Sequence, residues 1–299
     1  EGSNISLTQF DISVKRSLNG TELDHAKRRV KSVYTSATPN GHPSLSGKYV
    51  HLVLLTKNNT KSAGTLTYDI VDMVTKRVDL DYTVELKEPI STVDGNIVVP
   101  HVLEYTGTIN AGVDEFEKYQ STSGLLYREY APTFDGNKKA LIVWLHGMGE
   151  GGTDTSITLL ANKVTALTGD DFQNTLGGAH IVVPQCETFW MNEGTDSPAM
   201  TGASIYTASL AEFIDAQKNE LGAEKVVIGG CSNGGYMTMV MAMNYGTKYD
   251  AYVPICEAIL DSEIDDTELA TLKELPIYFI HAENDTTVDP KTTSVPTYN

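Results

Sequence analysis

Lys225-Val-Val-Ile-Gly-Gly-Cys-Ser-Asn-Gly-Gly-Tyr236 decides how the second half of this chain folds. A β-branched run, Lys225–Ile228, meets a cluster of small residues, and Asn233–Tyr245 then reads as a helix. Within the cluster, Gly230-Cys231-Ser232-Asn233-Gly234 spaces a serine between two glycines. Between a strand and a helix, that spacing makes a sharp, strained turn which only small neighbours permit and which exposes the serine oxygen. The bland alternative is a glycine-rich link without chemistry, but the flanking strand and helix favour the first reading. Ser232 is therefore the candidate nucleophile, and the backbone N–H of Asn233 is half of a candidate oxyanion hole.

Outward from this turn, residues 116–299 alternate apolar strand-like runs with helix-length amphipathic ones. The expected strands are Lys139–Leu145, Ile181–Val183, Lys225–Ile228, Ala251–Ile255 and Ile277–Ile280. The helices expected between them are Ile157–Leu167, Ile205–Leu221, Asn233–Tyr245 and Ile264–Leu275. Near-continuous apolar strands with helices between them predict a mostly parallel sheet covered on both faces, which binds ligands at the carboxyl ends of its strands.

Two more strand ends carry chemistry. Leu141-Ile-Val-Trp-Leu-His146-Gly147-Met148-Gly149-Glu150-Gly151-Gly152 runs from a strand into a glycine-rich loop. The Met148 N–H is the candidate second oxyanion donor, and His146 reads as a loop organiser. The loop lacks the Gly-Lys-Ser/Thr ending of a nucleotide-binding loop. Pro276-Ile-Tyr-Phe-Ile-His281-Ala-Glu283-Asn-Asp285-Thr-Thr-Val288-Asp289-Pro290 is a strand that ends in acids. Asp285 is the leading orienting carboxylate, with Glu283, Asp289 and Glu257 as competitors.

The first half has a different grammar. Short segments, Ile5–Val14, Val30–Tyr34, Tyr49–Thr56, Thr65–Val74, Val78–Leu86 and Ile97–Ile109, recur between turn clusters such as Asn19-Gly20 and Asp94-Gly95-Asn96. They predict an all-β sandwich over residues 1–115, ahead of the α/β unit at 116–299. No chemical constellation stands out there, and His25, His42, His51 and His101 lie far apart.

Composition bounds the partners. Of 299 residues 40% are apolar and 20% charged, which suits packed cores. Lys and Arg number 22 against 39 Asp and Glu, a net charge of −17. Residues 1–115 carry 12 basic and 14 acidic side chains, so nearly all the excess falls on the second half. That field disfavours nucleic acid and favours neutral or cationic ligands. No apolar run approaches the roughly 20 residues of a membrane span. Cys186, Cys231 and Cys256 have no metal-ligand spacing and allow at most one internal disulfide, so no metal is expected. The chain starts at Glu1 without Met or a leader, which suggests a processed precursor or trimmed chain; secreted or extracytoplasmic is the expected location.

The segments LIVWLHGMGEGG, HIVVPQCETFW, VVIGGCSNGGY, YVPICE and IYFIHAENDTTVDP resemble serine esterases of the α/β-hydrolase fold, related to prolyl oligopeptidase, polyhydroxybutyrate depolymerase and feruloyl esterase. The likeness is strongest to bacterial two-domain esterases with an N-terminal immunoglobulin-like domain, to which VKSVYTS and GKYVHLVL are more loosely similar. It implies carboxylic ester hydrolysis by a Ser-His-Asp triad without a cofactor. It also sets Trp190, with His146 and Gly147, at the substrate pocket; for Trp190 core packing is the alternative.

One part departs from the pattern. A serine hydroxyl needs a base, and no histidine follows Asp285 in the sequence. His281 precedes the acid loop, and His180 opens a strand at the other end of the sheet. The expectation is a serine carboxylesterase for neutral, short-chain esters, completed by a second polypeptide fragment that bears the catalytic histidine. The hydrolase end would then be missing from this chain. The alternatives are a feruloyl or acetyl esterase of plant cell walls and a binding protein built on an inactive hydrolase shell. The N-terminal domain leans toward homo-oligomer formation.

Overall fold

The computed structural model describes residues 5–56, 64–133, 139–195 and 197–299. The chain divides into two compact units, Glu1–Thr67 with Lys76–Thr108, and Tyr68–Thr75 with Ile109–Asn299.

The first unit is β-rich and immunoglobulin-like. Strands β1 (Phe10–Leu18), β2 (Thr21–Lys27), β7 (Asp79–Leu86) and β10 (His101–Val102) form an antiparallel sheet in the order β10-β7-β1-β2. β3 (Val30–Ser36) pairs with β4 (Tyr49–Leu54), and β8 (Ile90–Ser91) with β9 (Ile97–Val98). Asn19 and Gly20 both take positive φ, 50° and 79°, giving the two-residue hairpin turn that the Asn-Gly pair predicts. β2 (TELDHAK) has no apolar alternation and escapes sequence reading; β1 holds it by its ladder, from Leu18↔Thr21 to Ser13↔Lys27.

Other departures have local causes. Ser6 and Gln9 cap one another and hold Leu7–Gln9 in a 3₁₀ turn, so the first strand starts at Phe10 instead of Ile5. The expected strand Thr65–Val74 is a hairpin of β5 (Leu66–Asp69) and β6 (Val74–Arg77). Asp69 Oδ1 accepts the Val71 and Asp72 N–H groups and bends the chain there. Pro100, lacking an N–H, separates β9 from β10 in the expected strand Ile97–Ile109.

The second unit is built on one six-stranded, mostly parallel sheet with strand order β11-β12-β14-β13-β15-β16. β13 (Ala140–Leu145), β14 (Ala179–Gln185), β15 (Lys225–Cys231) and β16 (Ala251–Ile255) run parallel; β11 (Glu117–Gln120) and β12 (Leu126–Tyr130) extend the edge antiparallel. Leu141, Val143 and Leu145 face one core with Val226, Ile228, Phe213 and Met237. Ile142 and Trp144 face the other, with Ile181, Val183 and Leu159. Both faces are covered, which is why these strands read as unbroken apolar runs.

The helices are α1 (Ile157–Leu160), α2 (Asp170–Leu176), α3 (Thr207–Glu220), α4 (Asn233–Tyr245), α5 (Asp266–Lys273) and α6 (Ser294–Tyr298). α4 is buried without a break from Asn233 to Ala242, and it follows the sequence prediction residue for residue. The predicted helix Ile157–Leu167 stops after one turn, because Asn162 and Lys163 both sit at φ 52°. α5 starts where Asp265 and Glu268 form a capping box. The predicted strand Ile277–Ile280 lies parallel beside β16 through bridges Tyr252↔Ile277 and Ile255↔Ile280, short of a full ladder.

Ile228 has no exposed surface and lies in central strand β15. Ile228→Ala lowers unfolding free energy by about 3 kcal/mol, read as a drop in the urea midpoint at constant slope.

Candidate active site

Three strand ends converge on Ser232. The turn after β15 is tight because α4 begins directly against β13. A Cβ on Gly234 would stand 1.9 Å from the Leu145 carbonyl oxygen, and one on Gly230 would stand 2.6 Å from the same oxygen. Both positions therefore require glycine. Ser232 pays in backbone strain, φ 56° and ψ −112°, values that side-chain-bearing residues rarely adopt. Its N–H donates to the Ile255 carbonyl at 2.8 Å, and its carbonyl accepts the Tyr236 N–H at 2.8 Å. Half-buried, the residue caps a helix otherwise sunk in the core.

Asn233 is buried, and its Oδ1 accepts the Trp190 N–H at 2.7 Å. Its own N–H opens α4. Among the described residues, neither the Asn233 nor the Met148 N–H meets an acceptor in a turn or loop. Such free donors suit an incoming oxyanion.

The Met148 loop is braced from several sides. His146 is wholly buried: its Nδ1 lies 2.9 Å from the Gly147 carbonyl, and its Nε2 accepts the Cys186 N–H at 3.3 Å. Burial pulls His146 down to about 4 and keeps it neutral, and both ring nitrogens are already engaged by the Gly147 carbonyl and the Cys186 N–H. It is a loop organiser. Glu150 Oε1 accepts from Asn162 Nδ2 at 2.7 Å, which explains the left-handed Asn162 that ends α1. Gln185 Nε2 donates to the Glu150 carbonyl. Gly149 (φ 81°) approaches Met73 so closely that a Cβ would stand 2.7 Å from the Met73 carbonyl, and its own carbonyl accepts the Thr75 N–H at 2.7 Å. Sequence reading missed these braces, since nothing in Thr75, Asn162 or Gln185 marks them as partners of a distant loop.

Trp190 has no exposed surface, and its ring packs between His146 and Tyr206, with centroids 5.1 and 5.6 Å away. Trp190 and His146 are thus buried core residues in ring contact, while Gly147 lies in the loop itself; a Cβ there would stand 3.1 Å from Glu150 Oε1.

Asp285 Oδ1 accepts the Thr287 and Val288 N–H groups at 2.9 and 3.0 Å, and these bonds hold its carboxyl below the usual range. Its charge reaches Cys231 and Cys256, on either side of the elbow. His281 is 3.6 Å from Asp285 Oδ2, but its ring is occupied, Nδ1 by Ser294 Oγ at 2.7 Å and Nε2 by the Val288 carbonyl at 3.0 Å. It organises the acid loop. His180 sits near the amino end of β14, 3.7 Å from Glu129. Among the described residues no group of three or more His, Cys, Asp and Glu could hold a metal.

Glu150 and Glu257, both buried, each leave one carboxylate oxygen without a partner, and burial raises both carboxyls to about 7. Glu257 sits directly after Cys256, with Oε2 accepting the Ile259 N–H at 2.8 Å.

Comparison with known proteins gives the family of each unit. The model for the phospholipase/carboxylesterase family matches residues 133–295, and that for the esterase Ig-like N-terminal domain matches residues 1–99. The chain belongs to the phospholipase/carboxylesterase family of α/β-hydrolases. Among solved structures, a thermostable esterase is 27% identical, with TM-score 0.79 over 97% of this chain and 78% of that one. Est1E from Butyrivibrio proteoclasticus (14% identity, TM-score 0.43, 61% and 83% coverage) and an acetyl xylan esterase from Aspergillus awamori (15%, 0.42, 59% and 75%) overlap less. No curated protein sequence matches.

Two outcomes follow from the strain and the buried acids. At most positions glycine is less stable than alanine, but at 232 Ser232→Gly is more stable than Ser232→Ala by about 1–2 kcal/mol in urea unfolding. Glu257 has a folded pKa of about 7 against 4.5 in the open chain. Its contribution is complete below pH 4.5 and is lost as pH climbs through 7. Glu257→Gln therefore makes the fall in stability between pH 5 and 8 shallower, and it gains up to about 3 kcal/mol at pH 8.

Proposed function

We propose that this chain carries the nucleophile, oxyanion donors and orienting carboxylate of a serine carboxylesterase that hydrolyses neutral, short-chain acyl esters. The observation that carries the reading is Ser232 held at φ 56°, ψ −112° between β15 and α4, where a linker would relax. Ser232 Oγ attacks the ester carbonyl, and the Asn233 and Met148 N–H groups take the developing negative charge. A histidine base receives the serine proton and returns it to the leaving alcohol, with Asp285 orienting its ring; water then hydrolyses the acyl-enzyme. The acidic excess of residues 116–299 and the two buried carboxylates favour an uncharged acyl group.

The base comes from residues outside this sequence, in a second polypeptide fragment. Two observations support this. His146, His180 and His281 each have an occupied ring or the wrong place. Beside Ile277–Phe279 lies a cleft of about 400 Å³ lined by Tyr278, Phe279, His281, Val295 and Tyr298, with Tyr278 and Tyr298 69% and 73% exposed.

Intact mass spectrometry of the purified protein, followed by turnover of p-nitrophenyl acetate and butyrate, tests the reading. A histidine-bearing fragment is expected beside the 32.5 kDa chain, and Ser232→Ala lowers kcat/KM roughly 10⁴–10⁶-fold. A lone chain without turnover gives the protein to a binding role.

A further inference from the structure

Two thiols flank the elbow. Cys231 ends β15 and is bonded directly to Ser232; Cys256 follows β16. Their sulfurs stand 3.7 Å apart, both residues are half-buried, and both thiols are free. The backbone around the pair is fixed. Ser232 N–H donates to the carbonyl of Ile255, the residue before Cys256, and Cys256 N–H donates to the Ile280 carbonyl at 2.7 Å. The third thiol, Cys186, is fully buried, with its sulfur 3.4 Å from His146 Nε2.

We propose that Cys231 and Cys256 form an oxidation-sensitive dithiol, a modification site beside the nucleophile that hydrogen peroxide converts to a disulfide joining β15 to the end of β16.

The step balances as two thiols and one peroxide giving one disulfide and two waters. The Cys256 thiolate attacks a peroxide oxygen and the O–O bond breaks. This leaves a sulfenic acid on Cys256 and hydroxide, which takes up the thiol proton as water. Cys231 sulfur then attacks the sulfenyl sulfur, the S–O bond breaks, and the departing hydroxide leaves as water with the Cys231 proton. The two sulfurs are in contact and either can donate; with Cys231 S–H as the donor, the bond lowers the Cys256 thiol and raises Cys231, which makes Cys256 the attacking end. Cys231 is then the resolving partner, and the reverse order of attack gives the same disulfide and the same two waters.

Closing the bond brings the sulfurs together by about 1.7 Å, to the usual S–S length. With Cys231 paired in the sheet and the Cys256 N–H bonded to Ile280, the movement is supplied by rotation of the two side chains. The disulfide closes a loop between positions 25 apart and runs alongside the hydrogen bond that ties Ser232 to β16. It therefore braces the elbow, and the unfolding midpoint rises by about 5 °C.

The test treats the whole protein with stoichiometric hydrogen peroxide, alkylates it under denaturing conditions, and maps the peptides with and without dithiothreitol. The reduced chain takes three alkyl groups. The oxidised chain takes one, at Cys186, with the Cys231 and Cys256 peptides joined and released again by dithiothreitol. Cys256→Ser and Cys231→Ser each abolish the link. Three alkylated cysteines after peroxide, separate oxygen adducts on Cys231 and Cys256, or a link through Cys186 would overturn the proposal. An unchanged midpoint on oxidation would overturn the brace. The readouts need no turnover, so they stand or fall apart from the esterase reading.

Discussion

Everything at the site depends on how closely α4 starts to the end of β13. With Gly230 and Gly234 both pressed on the Leu145 carbonyl, the chain between them has no room for a relaxed turn. The serine at the apex absorbs the strain, of order 1–3 kcal/mol. Parallel pairing on both sides of β15 and a helix buried over ten residues hold it there. The first N–H of α4, on Asn233, meets no acceptor in a turn or loop among the described residues, so a strained serine and a free donor stand side by side at this turn.

Around that turn, support comes from buried polar groups used as struts. The imidazole of His146 joins the end of β13 to Cys186, Asn233 ties Trp190 to the elbow, and Glu150 receives Asn162. The first two bonds lie in regions shielded from water, where a satisfied polar contact is rigid and an unsatisfied one is costly; the third anchors a buried carboxylate to an exposed side chain. Glu150 and Glu257 each keep one oxygen unsatisfied, and their raised carboxyl pKa values record that cost.

Much of this was legible in the sequence. The α/β alternation placed β13, β15, β16 and α4 within a few residues, because strands buried on both faces leave unbroken apolar runs. The Gly230–Gly234 spacing located the strained serine, since steric crowding demands those glycines in that order. Elements governed by side-chain bonds to distant backbone stayed hidden. Asn162 ends α1 for the sake of Glu150, and Asp69 folds a predicted strand into a hairpin; neither residue announces such a role locally. β2 was invisible because a polar edge strand is fixed by its neighbour's register and not by its own pattern. The burial of Trp190 also lay beyond the sequence, which allows an aromatic after a strand to face either way.

The hydrolase unit is discontinuous in the chain: eight residues, Tyr68–Thr75, group with it although they come well before Ile109, and the Thr75–Gly149 hydrogen bond is one of their ties. A cassette starting at Ile109 would leave the Gly149 carbonyl without its donor and the glycine-rich loop without the Met73 backbone it rests on. The unit that folds around Ser232 is therefore not the unit that a linear boundary would transplant, and any grafting, shuffling or independent expression of it has to carry that early segment along.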